Sequence, residues 1–192
     1  MDILSTILIA AVAFAACNIG EMFILLSFFI NRRFTTAEIV TGQYISAVGL
    51  IVVCLVIAFG LTVVSPSWLH WLGVLPIIIG VKNLLEVNTL LQAELKEEKR
   101  VVRRMGVNLL SVTAVTFADG SDNVGVFAPL FAHQHPSQIV ISVVVFLALI
   151  GVWCAAAHYL LHHATLGKHI RRWGTYIAPL ALIGVGFFII FG

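Results

Sequence analysis

Charge is scarce in this chain. Of 192 residues, 11 are lysine or arginine and 9 are aspartate or glutamate, while 60% are hydrophobic. So few ionic groups cannot cover the surface of a water-soluble domain, which excludes a soluble globular protein. The net charge of +2 is too small to mark a nucleic-acid partner. Cysteine is confined to Cys17, Cys54 and Cys154, all within apolar stretches and without paired spacing. That excludes a disulfide framework and a zinc ribbon. No glycine-rich phosphate loop is present, so any ATP drive would need a partner. No His-Glu-x-x-His and no nucleophile-base set is found, which argues against an intramembrane enzyme using acids for proton transfer or hydrolysis. The opening Met1-Asp2-Ile3 lacks the positive flank of a secretory signal. Phe14-Ala15-Ala16-Cys17 resembles a lipoprotein cleavage site, but the apolar run continues past Cys17. The first segment is therefore expected to be a retained helix.

What is present is a succession of long apolar runs. Six are expected to be membrane-spanning helices, over residues 3–30, 39–64, 68–91, 106–132, 138–161 and 173–191. About 20 residues suffice to cross the hydrocarbon. The connections are short, so consecutive helices are antiparallel neighbours. Ten of the eleven basic residues fall in alternate connections: Arg32 and Arg33 after the first helix; Lys96, Lys99, Arg100, Arg103 and Arg104 after the third; Lys168, Arg171 and Arg172 after the fifth. The positive-inside rule then places those loops in the cytoplasm and both termini outside. Trp68, Trp71 and Trp173 lie near the expected interfaces, where indole rings anchor.

The polar segment 92–105 divides the chain into a first three-helix unit, 1–91, and a second, 106–192. Asn18-Ile19-Gly20-Glu21 in the first helix aligns with Asp119-Gly120-Ser121-Asp122 in the fourth. Asn18 meets Asp119 and Glu21 meets Asp122, each pair spaced to share one helix face. Pro76 with Gly80 and Pro179 with Gly184 form a looser match between the third and sixth helices. Three helices per unit reverse the direction of equivalent helices. The expected fold is thus an all-α integral membrane protein of six helices in a 3+3 inverted repeat. Such repeats carry their site near the midplane, on interrupted helices.

An aspartate at the centre of a membrane helix costs about 2.5–3.5 kcal/mol, and one that is kept there usually handles an ion, a proton or a polar solute. Glu21, Asp119 and Asp122 are the candidate metal ligands, with Asn18 and Asn123 as neutral oxygens and Cys17 as a weaker candidate. Gly120, Gly125 and Pro129 loosen the fourth helix and free carbonyls near the site. Carboxylates with amide oxygens suit manganese, calcium or magnesium; a thiolate would favour cadmium or zinc. Three carboxylates leave negative charge in excess of a dication, so Glu21 or Asp122 is expected to hold a proton that metal expels. The structural alternative is a hydrogen-bonded cluster that locks the two helices. Cys17 is equally readable as a packing residue. Ser121 and Thr116 offer hydroxyls, more often bonded to backbone. Lys82 and Glu86 are expected to pair across one helical turn, with a pathway role as the alternative. His133 and His135 could form an exit site, and His158 with His162 has ligand spacing; interfacial roles serve all of these equally.

The residues Asn18-Ile19-Gly20-Glu21-Met22-Phe23-Ile24-Leu25, Gly42-Gln43-Tyr44, Gly73-Val74-Leu75-Pro76-Ile77-Ile78-Ile79-Gly80-Val81-Lys82 and Asp119-Gly120-Ser121-Asp122-Asn123-Val124-Gly125-Val126-Phe127-Ala128-Pro129-Leu130-Phe131 resemble the cadmium-resistance transporter family of the lysine-exporter superfamily. The resemblance implies efflux of cadmium or a related divalent metal, through a site on helices 1 and 4, in the inner cell membrane. The family usually has an aspartate pair after the helix 1 asparagine, where Gly20-Glu21 stands here. It usually opens the helix 4 motif with asparagine, where Asp119 stands. The expected partners are the lipid bilayer and a metal ion as substrate, with no cofactor; the oligomeric state is left open, a dimer included. On the same fold a small cationic amino acid or another solute would be the alternative cargo, and a channel the alternative mode.

Overall fold

The computed structural model describes residues 2–31, 34–64, 71–86, 109–161 and 164–191, with side chains at all of these except 62–64, 122 and 164–172. Every regular element among them is helical. In order they are α1 (Ile3–Asn18), α2 (Glu21–Ile30), α3 (Thr36–Val64), α4 (Val74–Leu85), α5 (Leu109–Asp119), a 3-10 turn (Gly120–Asn123), α6 (Val124–Ala132), α7 (Pro136–Leu160) and α8 (Ala164–Phe191).

Local signals explain several boundaries. At the start of α3, Glu38 Oε2 accepts from the Thr35 backbone N–H at 2.8 Å, and Thr35 Oγ1 accepts from the Glu38 N–H at 3.2 Å. This reciprocal capping box satisfies donors the first turn leaves open. Pro136 opens α7, where its fixed φ suits a helix and its missing N–H is no loss. The helix α8 begins at Ala164, so Lys168, Arg171 and Arg172 lie on a helical extension instead of in an irregular loop. Its apolar portion, Trp173–Phe191, coincides with the expected sixth span.

Among the described residues, three helices are long and apolar enough to cross a membrane: Thr36–Leu61, Pro136–Leu160 and Trp173–Phe191. A fourth candidate is α1 with α2, bent by 61° at their junction. The single first helix expected over 3–30 is thus broken, and that expected over 106–132 is interrupted by the 3-10 turn. Trp71–Leu85 and Leu109–Asp119 are shorter apolar helices. The segment 92–105 lies outside the described residues.

The polarity of α3 and α7 is inverted relative to a soluble protein. The helix α3 turns Gln43, Ser46, Leu50 and Cys54 inward and Val48, Val52 and Val56 outward. On α7, Ser142, Phe146, Ile150 and Cys154 are buried while Val140, Val144 and Val152 are exposed. Small polar groups inside and branched apolar groups outside suit hydrocarbon as the surrounding solvent.

Ring and glycine contacts fix the packing. Phe14 of α1 meets Phe146 and Trp153 of α7, with centroids 5.6 and 5.5 Å apart. Phe29 of α2 meets His158 further along, so the broken first helix and α7 run parallel. Gly42 and Gly49 of α3 face Val112 and Phe117 of α5, and Gly120 faces Leu50, so α3 also runs parallel to its partner. In contrast α4 and α8 are antiparallel: Gly73 lies against the Gly186 carbonyl and Gly80 against the Pro179 carbonyl. Absent side chains at these points let two backbones approach, as in membrane helix pairs.

Candidate functional site

Both interrupted helices break at their polar motifs. The helix α1 ends at Asn18, and α2 starts afresh at Glu21 after Ile19 and Gly20. The Asn18 side-chain NH2 donates back to the Phe14 carbonyl at 2.8 Å. The break frees the Asn18 carbonyl, which accepts from the Trp153 indole N–H at 2.8 Å. Glu21 sits in the first turn of α2, where the helix dipole favours a negative group.

Glu21 is only 6% exposed. Its Oε1 accepts from Gln43 Nε2 at 2.6 Å, and Gln43 is 4% exposed. With Glu21 ionised, as metal binding requires, the carboxylate offers only acceptor positions, so the amide NH2 faces it and Gln43 Oε1 turns away. That oxygen has no hydrogen-bond partner, and neither has the Ser46 hydroxyl. Each such orphan costs about 1–3 kcal/mol of unrecovered desolvation. Two of them beside a buried carboxylate call for an explanation other than packing.

They line a cavity of about 30 Å3. Asn18 and Glu21 reach it from the first break, Gln43 and Ser46 from α3, Thr116 from α5, and Asn123 from the 3-10 turn. Phe14, Phe127, Phe146 and Ile150 supply apolar walls. A water-sized occupant needs about 10–15 Å3 by this measure, so the space holds roughly two. Its polar rim is dominated by oxygen: one described carboxylate, three amide carbonyls and two hydroxyls. Such a rim can coordinate a small cation or hold ordered water.

Of the candidate ligands named from the sequence, Asn18, Glu21 and Asn123 line this one cavity. Asp119 is half-buried as the last residue of α5 and does not line the cavity. Cys17 is half-buried and does not line it either. Its expected face relation to Glu21 presumes a straight helix, and the 61° bend intervenes. The Asp122 side chain lies outside the described ones, though its backbone belongs to the 3-10 turn. Among the described residues no group of three or more histidine, cysteine, aspartate or glutamate side chains is placed to hold a metal.

Lys82 and Glu86 are both exposed at the end of α4. Among the described residues they share only the backbone bond from Glu86 N–H to the Lys82 carbonyl, 3.0 Å, and not the expected side-chain pair. His133 caps the end of α6, and exposed His135 caps the start of α7. None of these four residues lines the cavity. His158 is engaged by the Phe29 ring, while His162 lies outside the described residues.

Sequence reasoning named Gln43 only within the Gly42-Gln43-Tyr44 resemblance and placed neither it nor Ser46 among the site residues. The signal was a pair of polar residues i,i+3 in an otherwise apolar span, on the face carrying Gly42 and Gly49. Small and polar groups sharing one face of a membrane helix mark an inward stripe.

Apolar helices of membrane length, two of them broken beside a cavity with a polar rim and apolar walls, define a multi-pass membrane protein. The chain belongs to the cadmium resistance transporter family, whose sequence model matches residues 14–192 and so takes in both breaks. No curated protein and no solved structure matches the chain.

Proposed function

We propose that the protein exports a divalent metal cation, cadmium or a related ion, as a secondary transporter in the inner cell membrane. The observation that carries this reading is the buried Glu21 carboxylate at a helix break, beside two unpartnered oxygens in a cavity of ionic size. Family membership supports export as the direction and a metal ion as the cargo. The space suits an ion with a water and is too small for a cationic amino acid in this conformation. That disfavours the alternative cargo.

The transporter is proposed to cross the membrane six times, with both termini outside. The crossings are α1 with α2, α3, α4, α5 with α6, α7, and the apolar part of α8. The first unit is 1–91, the linker 92–105 and the second unit 106–192. Several features support the inverted repeat. The first helix of each unit breaks at its polar motif. Each broken helix runs parallel to the middle helix of the opposite unit. The two third helices, α4 and α8, meet antiparallel, as equivalent helices related by an in-plane two-fold must. Metal/proton antiport is proposed with Glu21 and Asp122 as proton carriers.

Reconstitution in protein-only liposomes tests the reading. With an opposing proton gradient, cadmium or manganese is expected to move against its own gradient. Glu21→Gln is expected to reduce that flux by about 100-fold or more, since it leaves the cavity without its described charge. Flux that ignores the proton gradient would remove antiport; flux undiminished in Glu21→Gln would remove the site.

A further inference from the structure

We propose that Gln43 and Ser46 are metal-donor residues of the cavity, and that they make its ligand set one of oxygens, fitted to a hard dication of the manganese, calcium or magnesium class. This rests on the metal-export reading and adds to it the two donors and the kind of ion they select.

Three observations carry the assignment. First, Gln43 and Ser46 stand i,i+3 on α3, and both line the cavity. Second, each is more than nine-tenths buried with an oxygen that lacks a partner: Gln43 Oε1 and Ser46 Oγ. Gln43 is held in place through its other amide atom by Glu21, so its free oxygen is oriented before any ligand arrives. Third, Ser46 forgoes the usual escape. A serine in a membrane helix commonly bonds the carbonyl four residues back. Ser27 does so, to Phe23 at 2.9 Å, while Ser46 does not bond the Gly42 carbonyl.

The chemistry of the set follows. Carboxylate, amide carbonyl and hydroxyl are hard ligands, suited to manganese, calcium and magnesium. No thiol lines the cavity among the described residues. Cadmium would then enter through its charge and size, without the sulfur contact that usually selects it.

The test uses the purified full-length chain in detergent under reductant, with manganese chloride or cadmium chloride alone as probe. Gln43→Leu is expected to weaken manganese binding by about 10–100-fold. Ser46→Cys, nearly isosteric, is expected to raise the cadmium-to-manganese affinity ratio about tenfold or more, since it exchanges a hard donor for a soft one. X-ray absorption on the cadmium-loaded wild type is expected to show an oxygen shell alone, and Ser46→Cys an added sulfur shell. A sulfur shell in the wild type overturns the proposal. So does a wild type that binds and exports metal while Ser46→Cys and Gln43→Leu leave affinities and shell unchanged; in that case the export reading stands. If the wild type binds neither ion, both fall together. Should Ser46→Cys not be recovered as a folded helical protein, the manganese affinity of Gln43→Leu decides.

Discussion

Gly184 and Gly186 are two residues apart on α8, yet adding a methyl group at each should have opposite effects. A Cβ at Gly186 would lie 2.5 Å from the Gly73 carbonyl oxygen, 2.5 Å from Ile77 Cγ1 and 3.0 Å from the Ile77 nitrogen. At Gly184 no neighbouring heavy atom lies within 4 Å. Since ordinary contact begins near 3.4 Å, Gly186→Ala forces α4 and α8 apart by about 1 Å or bends one of them. Two of the three obstructing atoms belong to backbone and cannot swing away. Overpacking of this kind costs about 1–3 kcal/mol. The helix itself gains about 0.5–1 kcal/mol from replacing glycine with alanine. Gly186→Ala should therefore destabilise the protein by up to roughly 2.5 kcal/mol after that offset. Gly184→Ala, with nothing to strike, should stabilise it by about 0.5–1 kcal/mol. Unfolding in mixed micelles, followed by loss of helical circular dichroism as denaturing detergent is added, would measure both. Midpoints that move in the same direction and by the same amount would refute the close approach of α4 and α8.

Other consequences are checked as directly. Cys17→Ser should leave the cadmium and manganese affinities of the purified protein within about twofold of wild type, because Cys17 does not line the cavity. Trp153→Phe keeps the ring against Phe14 but removes the donor to the freed Asn18 carbonyl. A loss of about 1–3 kcal/mol is expected in the same unfolding assay. Glu38→Ala removes half of the capping box on α3 and should lower the unfolding midpoint slightly without altering metal binding, which calorimetry would report.

Much of the helical framework could be read from periodicity and charge. The sixth span was legible because Trp173 and the basic residues before it mark an interface. Both helix breaks were signalled too, by glycine within a polar motif: Gly20 before Glu21, and Gly120 before Asp122. Their consequence for side-chain direction was not legible. Spacing along an unbroken helix puts Cys17 beside Glu21, and a bend of 61° between them invalidates that relation. Asp119 has the same difficulty, standing at the last residue of α5 just before the backbone tightens into the 3-10 turn. Ser46 and Gln43 were not assigned to the site for another reason. A single amide and a single hydroxyl are tolerable in a membrane helix, and only tertiary packing reveals which oxygen is left without a partner. Lys82 and Glu86 had the right spacing for a pair, but as exposed groups they gain little from closing one.

The most direct measurement is a metal-loaded structure of the wild-type protein with anomalous scattering recorded for manganese. The account predicts one strong peak inside the cavity, with Glu21, Gln43 and Ser46 oxygens at roughly 2.0–2.6 Å from it. A peak elsewhere in the bundle, or a cavity that stays empty at saturating metal, would contradict it.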